Sequence, residues 1–373
     1  MKTILGLPLY RLEKNFNYQE IPFSRQNLSD WLIDGSERYL SFLSEKILSD
    51  FAGQECVHLD ETTLKVIQNQ SAGGNKKSTM MVGRSGPFEK KQMAVYVYSP
   101  TKKQEEFLKI LPSEYSGIIS YDAASQHHIF KKAELSFCMA HARRKFMEIL
   151  KTRADYRQYA KLKTREEQQK FISRQKSPGL GLLLEIMTDF ARLYAVESMS
   201  RMLRETPEQI LIRRQRVSLP IFNSLITRIR DVREKAAAKS DLKLAASYFL
   251  EHQNGLSRYL SDGRIPIDNN AAERAVKPFV MARKNFLFSN TERGARATAI
   301  CFTVLQSAVL NGLKPEQYLT YVLDTLRREG LYPQVIERLL PYSGQLPAEL
   351  YMKSADSAES DRTEKDESSK EPE

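Results

Sequence analysis

The sequence predicts an α/β protein in which a mixed β-sheet is followed by a long helical region. Residues 55–67 and 91–98 are apolar and β-branched without a helical period, and 117–121 is a short apolar run that leads into Asp122. Such runs indicate strands. With 373 residues, 41% of them hydrophobic and 28% charged, the chain has an ordinary globular composition and room for two to three domains.

The amino-terminal part of the chain, residues 8–50, is predicted to be helical. One helix covers 8–19, and Ser24 is positioned to cap a second, longer helix after the break at Pro22. Two helices joined by a short turn could read DNA, or they could form a hairpin that packs on the next domain. The sequence leaves both interpretations open.

The middle of the chain is predicted to complete the sheet. Residues 79–82 favour a strand, 101–111 a helix, and 135–140 a last strand before an Arg/Lys-rich helix that starts at His141. Three strands, a helix, a strand, a helix and a strand indicate a mixed α/β sheet.

Helical patterns continue from residue 151 to 260 without strand alternation. Residues 268–285 form another predicted helix, which Pro278 should kink or interrupt. The last large predicted helix, 295–310, ends at Asn311 and Gly312.

The charge of the chain is strongly positive and unevenly distributed. There are 57 Lys+Arg against 46 Asp+Glu, so the formal net charge is +11 and the pI is about 9.3. Residues 151–262 carry a net +9, which would attract polyanions such as DNA or RNA. Residues 351–373 carry a net −4 and many serines, so we expect a disordered tail.

Cysteine usage and hydropathy indicate the compartment. Three scattered cysteines, Cys56, Cys138 and Cys301, do not make a disulfide framework and favour a reducing environment. The uncharged stretch 297–313 contains Thr, Gln, Ser and Asn and is interpreted as a buried helix, and the first residues lack the features of a signal peptide. We expect a soluble, cytoplasmic protein with no membrane contact.

Two aspartates occupy strand positions that often carry chemistry. Asp60 lies inside an apolar run, where a charge is costly unless it is paired or binds a metal. Asp122 follows a buried strand at its carboxyl end, where open α/β sheets tend to place ligand sites. Either residue could instead be a turn-capping or salt-bridged aspartate.

A third acid, Glu273, lies in the segment IDNNAAERAVKP at 267–278. A structural interpretation is available, because Asn270 at the N-cap and Glu273 three residues later fit a capping box. Glu273 could also pair with Lys277 one turn later. Spacing alone does not link Glu273 to the two aspartates.

Further residues near these acids could bind metal or phosphate. Cys138 and His141 have the spacing of half a zinc site but lack a second pair, so a structural interpretation is favoured. Basic clusters could be solvated helix faces, or could contact a phosphodiester backbone if a metal site lay close. They comprise Arg143, Arg144, Lys145, Arg283, Lys284, Arg293 and Arg296.

Three segments together resemble a known family. VHLDETTLKV at 57–66, CMAHARRKF at 138–146 and, above all, IDNNAAERAVKPFVMARKNFLFSN at 267–290 are similar to bacterial DDE transposases of the insertion sequence 66 family. LPLYRLEKNF at 7–16 and the helices at 294–323 are similar as well, so the resemblance covers roughly residues 7–342.

The resemblance implies a function and a set of site residues. It implies an RNase H-like catalytic fold in which Asp60, Asp122 and Glu273 hold two magnesium or manganese ions and catalyse cleavage and joining of DNA. It makes Arg274, Lys277, Arg283 and Lys284 candidate phosphate clamps, beside the 143–145 cluster. It also implies that Cys138 and His141 are structural supports of the core.

The resemblance further implies an organisation and partners. We expect a helical segment at 1–52, catalytic-core parts at 53–150 and 263–345, a basic helical insertion at 151–262, and a disordered acidic tail at 346–373. The partners would be the inverted-repeat ends and target DNA, a second copy of the chain on DNA, and accessory proteins of the element, in the bacterial nucleoid. Longer members carry an N-terminal coiled and zinc-finger-like region that this chain is expected to lack.

Two alternatives remain at this stage. The chain could be a truncated, non-catalytic DNA-binding remnant that regulates or competes with a full-length copy. A carboxylate-pair hydrolase such as a glycosidase would use similar acids, but it does not explain the basic excess, and a single Trp offers little surface for sugar stacking.

Overall fold

The structure is a computed structural model that describes residues 2–68, 78–123, 129–174 and 179–353. Within these residues, five strands form one sheet in the spatial order β3-β2-β1-β4-β5. The strands are β1 (Cys56–Leu64), β2 (Ser78–Ser85), β3 (Ala94–Ser99), β4 (Ile118–Tyr121) and β5 (Glu134–Phe137). β1, β2 and β3 are antiparallel neighbours, whereas β4 and β5 run parallel to β1. The prediction of an α/β fold with a mixed sheet is confirmed.

Helices surround the sheet and fill most of the remaining described chain. They are α1 (Leu9–Tyr18), α2 (Arg25–Gly35), α3 (Ser41–Ala52), α4 (Met139–Thr152), α5 (Ala154–Tyr159), α6 (Arg165–Ser173), α7 (Gly179–Met202), α8 (Pro207–Arg213), α9 (Leu219–Lys235), α10 (Asp241–Glu251), α11 (Gln253–Ser257), α12 (Asn270–Phe286), α13 (Glu292–Leu310), α14 (Pro315–Glu329) and α15 (Pro333–Leu339). Among these described helices, none is both long enough and apolar enough to cross a lipid bilayer.

The two faces of the sheet are buried against different helices. Val57 and Leu59 of β1 belong to a core cluster that includes α3 and α14, whereas Val82 and Tyr96 on the opposite face pack with α12 and α13. Alternation along β1 therefore directs His58 and Asp60 toward the α12 side. The sheet thus holds these two side chains in register beneath one helix.

The outer edge of β3 is covered by α13. Tyr96 N donates to Thr303 Oγ1 at 2.9 Å, and Ala94 N donates to Ser307 Oγ at 3.1 Å. Hydroxyl groups of a helix thereby satisfy backbone donors that an edge strand would otherwise leave open for pairing with another chain.

The amino-terminal helices confirm the prediction of a helical segment with a cap at Ser24. Asn27 N donates to Ser24 Oγ, and Ser24 N donates to Asn27 Oδ1, which completes a capping box at the start of α2. α2 continues through a π-helical turn, Ser36–Leu40, into α3, whose Leu43, Ile47 and Phe51 are fully buried against the sheet. These helices therefore pack on the sheet domain, as the hairpin interpretation predicts.

Three local predictions are wrong. Residues 101–111 contain only a short 3₁₀ turn, Gln104–Lys109, because Ser99 and Thr101 hydrogen-bond each other at its start and Pro112 follows it. Pro278 does not interrupt α12, where Tyr96 Oη donates to the Ala275 carbonyl at 2.5 Å.

The third error concerns the boundary of the acidic tail. Leu346 and Leu350 are buried, and Lys314 N donates to the Leu350 carbonyl at 2.7 Å, so the packed chain continues past the predicted boundary at residue 346. Residues 354–373, the remainder of the predicted tail, lie outside the described residues.

The described part of region 151–262 consists of helices joined by short turns, as predicted. Its helices α7, α9 and α10 share a buried cluster with α4, which links them to the β4 side of the sheet. Arg214 is buried at 2% exposure, pairs with Glu197 at 2.6 Å and donates to the Tyr259, Asp262 and Ile265 carbonyls. This guanidinium ties the helical region to the segment that leads into α12.

Candidate active site

The parallel register of β1 and β4 brings the two predicted aspartates to the same level. His58 is the register partner of Ser120. Asp60 lies two residues beyond His58 in β1, and Asp122 lies two residues beyond Ser120 in the chain, so continuation of this register would place the two aspartates level with each other. Because β4 ends at Tyr121, Asp122 occupies the first position beyond the strand.

Asp60 is strained electrostatically. Burial, with smaller contributions from the charges of Glu273, Asp122 and Glu61, raises the pKa of its carboxyl to about 6, although a hydrogen bond from Glu61 N opposes the shift. These repulsions mean that the three predicted acids lie close enough to interact electrostatically. Like charges gathered in a partly buried site disfavour ionisation unless a cation neutralises them.

Asp122 has neighbours from two helices. His141 Nε2 of α4 lies 3.4 Å from Asp122 Oδ2, and Tyr248 Oη of α10 donates to Asp122 Oδ1 at 3.5 Å. Lys145 stands over the Tyr248 ring, with its Nζ 4.3 Å from the ring centroid. Tyr248 of the helical region and Lys145 of α4 therefore bring a hydroxyl group and a cation, respectively, to the edge of the site.

Glu273 faces the sheet domain rather than capping its own helix. α12 begins at Asn270, whose backbone N–H donates to Asp268 Oδ1 at 3.1 Å, so the predicted capping box of Asn270 and Glu273 is wrong. Glu273 lies instead 3.9 Å from an Arg144 nitrogen of α4, whereas the sequence offered Lys277 as its partner. Its position in the first turn of α12 places the carboxylate where the helix dipole favours negative charge.

Cys138 and His141 lie at the same site. Among the described residues, donor atoms of Cys138, His141 and Glu273 form one cluster in which all three lie within 4.8 Å of one another. Burial raises the pKa of the Cys138 thiol to about 11, so this side chain is a protonated, structural thiol at neutral pH. His141 Nδ1 is buried and has no hydrogen-bond partner in the described chain.

Asn269 links the three elements of the site, and sequence reasoning missed it. The residue is 2% exposed, and its side chain accepts from His58 Nδ1 at 2.8 Å and donates to the Leu59 carbonyl at 2.8 Å. Its backbone N–H donates to Cys138 Sγ at 3.1 Å. Burial lowers the pKa of His58 to about 4, so this imidazole is neutral. The doubled Asn of the 267–278 segment was the available signal, because an amide beside a helix start is well suited to bridging backbone groups.

The predicted basic residues separate into two groups. Arg283 donates to the Thr63 carbonyl and hydroxyl at 2.7 and 2.8 Å, and the Arg143 guanidinium lies 5.7 Å from the Tyr194 ring centroid, so both cations have contacts within the protein. Arg293 and Arg296 of α13 likewise have partners within the protein, since they pair with Glu37 and Glu292, respectively. Five further residues are exposed on α4 and α12: Arg144, Lys145, Arg274, Lys277 and Lys284.

The chain is thus an α/β protein with a mixed sheet. Its sheet and α12 bring three carboxylates close together, and α4 and α12 carry exposed cations beside them. A family model described as "Transposase IS66 family" matches residues 1–297 of the chain. The chain therefore belongs to the IS66 transposase family.

Curated relatives carry no functional name. The chain is 26% identical over 355 residues to the uncharacterized protein y4jD of Sinorhizobium fredii, a match that covers 90% of this chain and 63% of the relative. It is 29% identical over 352 residues to the uncharacterized protein y4qI of the same organism, covering 91% of this chain and 60% of the relative. The chain thus spans about three fifths of the length of these relatives. No solved structure matches it significantly.

Proposed function

We propose that the chain is a DDE-type DNA transposase that hydrolyses phosphodiester bonds at the ends of its element and joins the resulting 3′-hydroxyls to target DNA. Family membership supports transposition as the biological role. The observation that carries the catalytic assignment is the electrostatic coupling of Asp60 to Asp122 and Glu273, three acids that lie far apart in sequence.

The strand arrangement supports an RNase H-like core. Three antiparallel strands are followed by two strands parallel to the first, and the carboxylates come from the first strand, the end of the fourth and a later helix. This is the placement that the family resemblance implies. We also propose the predicted division into core parts, insertion and flanking segments, with an acidic tail that begins after Leu350 instead of at residue 346.

The residues present fit a divalent cation. Asp60, Asp122 and Glu273 offer hard carboxylate oxygens, and the raised pKa of Asp60 reflects a negative field that a cation would relieve. When bound, magnesium or manganese ions would activate the attacking oxygen and stabilise the leaving oxygen at phosphorus.

The other residues of the site position the acids and the DNA. His141 and Tyr248 orient the two oxygens of Asp122, and Asn269 fixes the start of α12 against β1. Arg144 and Lys145 on α4, together with Arg274, Lys277 and Lys284 on α12, would contact the phosphodiester backbone. Terminal repeats and target DNA are the proposed partners. A dimer on DNA, accessory proteins of the element and a nucleoid location follow from the same proposal.

Cleavage of a labelled duplex carrying the terminal repeat of the element tests this function. We expect nicking that requires magnesium or manganese and is abolished by Asp60→Asn, Asp122→Asn or Glu273→Gln, each with DNA affinity largely intact. Asp324→Asn on α14 removes an exposed carboxylate remote from the site and should cleave normally.

Each outcome of this assay has a definite meaning. Normal activity of Asp122→Asn would remove that residue from the catalytic set. Binding without cleavage by the unmodified chain, under conditions in which a longer relative cuts, would favour the DNA-binding remnant.

A further inference from the structure

A basic cavity of about 500 Å³ lies beside the first turn of α12, apart from the acidic site. Its walls come from the end of β2 and the turn after it, from α7 and α8 of the helical region, and from the start of α12. The volume falls within the roughly 300–1,000 Å³ typical of sites that enclose a small-molecule-sized group.

Three acids, Glu197, Glu205 and Asp268, line the cavity together with six arginines: Arg84, Arg201, Arg204, Arg214, Arg264 and Arg274. Two of them are neutralised within the protein, since Arg214 pairs with Glu197 at 2.6 Å and Arg264 pairs with Asp262 at 2.7 Å. Arg84, Arg201, Arg204 and Arg274 have no acidic partner within 4 Å in the part of the chain that the structure describes. We call these four residues the arginine cluster.

Arg84 and Arg274 both line the cavity, and their charges repel each other. Burial lowers the pKa of the Arg84 guanidinium to about 10, with the Arg274 charge contributing to the shift. Arg84 Nη1 finds only the neutral carbonyl of Ser85, at 3.0 Å. Two like charges that both lack an ion-pair partner among the described residues are unfavourable in the free protein, and an anion between them would reverse the sign of that interaction.

An aromatic side chain stands at the same cavity. Phe88, in the turn that follows β2, lines the cavity and is 42% exposed. Proteins that bind single-stranded nucleic acid combine cations, which hold the phosphate backbone, with an aromatic ring that stacks on a base. Phe88 and the arginine cluster provide both kinds of group at this cavity.

We propose that the arginine cluster and Phe88 bind a single-stranded segment of DNA, with a phosphate between Arg84 and Arg274 and a base against Phe88. The proposal rests on the DNA-processing function above, and it adds a second binding surface for a strand separated from its complement. It assigns a role to Arg84, Arg201 and Arg204, which the acidic site does not use.

Fluorescence anisotropy with a labelled 12-nucleotide single strand tests this assignment without any need for cleavage. We expect Arg201→Gln combined with Arg204→Gln to weaken binding about tenfold and to reduce the salt slope by roughly 0.7 for each phosphate that is no longer neutralised. Phe88→Ala should weaken binding at least about fivefold, because the base no longer has a ring to stack on. Arg327→Gln combined with Arg328→Gln on α14 removes the same charge from an exposed helix and should change affinity less than about twofold.

Arg84→Gln provides a readout that misfolding would not reproduce. Because it removes one of two repelling cations, its melting temperature should equal or exceed that of the wild type, while its affinity for the single strand falls. Equal losses of affinity in the cavity and α14 variants would overturn the proposal. A second result would also overturn the proposal. If pyrophosphate raises the melting temperature of the wild type while the cavity variants bind the oligonucleotide normally, the cavity binds a free phosphate compound instead.

Failure of the catalytic proposal is distinguishable from failure of this one. Loss of nicking in every condition, with cavity-dependent binding of the single strand retained, would contradict only the catalytic assignment. Metal-dependent nicking with unchanged single-strand binding in the cavity variants would contradict only the arginine cluster.

Discussion

Asp60 lies in the middle strand of the sheet, where burial and the charges of Glu273 and Asp122 raise the pKa of its carboxyl to about 6. In the unfolded chain the same group titrates near 3.9. The folded state therefore binds the proton more tightly, so the stabilisation from protonated Asp60 is fully present below about pH 4 and is lost as the pH rises through about 6.

Asp60→Asn should remove this pH dependence. At pH 7 and without divalent cations, the variant should be more stable than the wild type by about 1–3 kcal/mol, because the shift costs about 1.4 kcal/mol per pKa unit before solvent screening. Denaturant unfolding between about pH 4.5 and pH 7.5, the range that spans this titration, measures the difference. If the free energy of unfolding depends on pH in the same way in the wild type and the variant, the pKa of Asp60 is not raised by folding. Asp324→Asn, which removes an exposed carboxyl, is the control.

Asn269 should act on the site by positioning its elements. Asn269→Ala loses the hydrogen bonds to His58 and Leu59, and we expect it to reduce nicking or metal affinity about 10–100-fold, the usual cost of losing a residue that supports metal ligands. Asn311→Ala is the matched control, since its amide also donates to a backbone carbonyl, that of Gln92, at the far end of α13.

A purely structural role for Asn269 would give a different pattern. Both asparagine variants would then lose similar stability, measured by denaturant unfolding, and similar activity. Under the positioning role, the two variants lose comparable stability, but only Asn269→Ala requires more Mn²⁺ for half-maximal nicking.

Sequence reasoning found acids more readily than their supports. Asp60 and Asp122 are conspicuous because they interrupt or end apolar runs, a pattern visible without coordinates. Asn269 and Tyr248 act through hydrogen bonds to residues more than a hundred positions away, and no local pattern specifies such partners. The Asn270 capping box was a plausible local solution, but Asp268 satisfies the Asn270 amide instead.

At the scale of elements, the buried Arg214 ties the helical region to the segment that leads into α12. Arg214→Met removes a guanidinium that pairs with Glu197 and donates to three backbone carbonyls. We expect a loss of about 3–5 kcal/mol in the free energy of unfolding, because the variant leaves Glu197 and the carbonyls without their donor. Arg216→Met, two residues later and exposed, should cost less than about 0.5 kcal/mol.

The measurement is denaturant unfolding followed by tryptophan fluorescence and by far-UV circular dichroism. A small decrease in the free energy of unfolding of Arg214→Met would mean that the apolar cluster alone holds the helical region in place. A large loss with both probes in register would show that the region and the sheet domain unfold together.

Elements with strong periodicity were predicted well, and short or capped elements less well. The helical pattern of 151–262 is repeated over many residues, and 55–67 is a long apolar and β-branched run without a helical period, so tertiary contacts do not override either pattern. The segment 101–111 has a weaker pattern, and side-chain bonds at Ser99 and Thr101 leave room only for a 3₁₀ turn. Pro278 was expected to break a helix that packing against β1 and β2 maintains.

For the whole molecule, the net charge of +11 should make DNA binding strongly dependent on salt. Charge reversal of Arg230 and Arg233, exposed on α9, should flatten the slope of log affinity against log salt by roughly 0.9 for each duplex phosphate that these cations neutralise in the wild type. Duplex affinities measured between about 50 and about 200 mM salt test this expectation. An unchanged slope would assign the surface of α9 to another role.

The proposed active site exists only at the scale of the whole fold. Its acids come from β1, from the end of β4 and from α12, and the helical region 151–262 separates the last two in sequence. Composition and charge predicted a polyanion as the partner. They did not predict that the three acids come together, because this depends on the parallel pairing of β1 with β4. The resemblance of three motifs to a known family linked Glu273 to the two aspartates, which their spacing in the sequence did not.

The most direct measurement of this account is a Mn²⁺ titration of the protein bound to a duplex that carries the terminal repeat, with free ion followed by electron paramagnetic resonance. We predict that the wild type binds two ions per chain and that Asp60→Asn, Asp122→Asn and Glu273→Gln each lose at least one, whereas Asp324→Asn binds as the wild type does. Identical Mn²⁺ binding by the wild type and the three site variants would contradict the account.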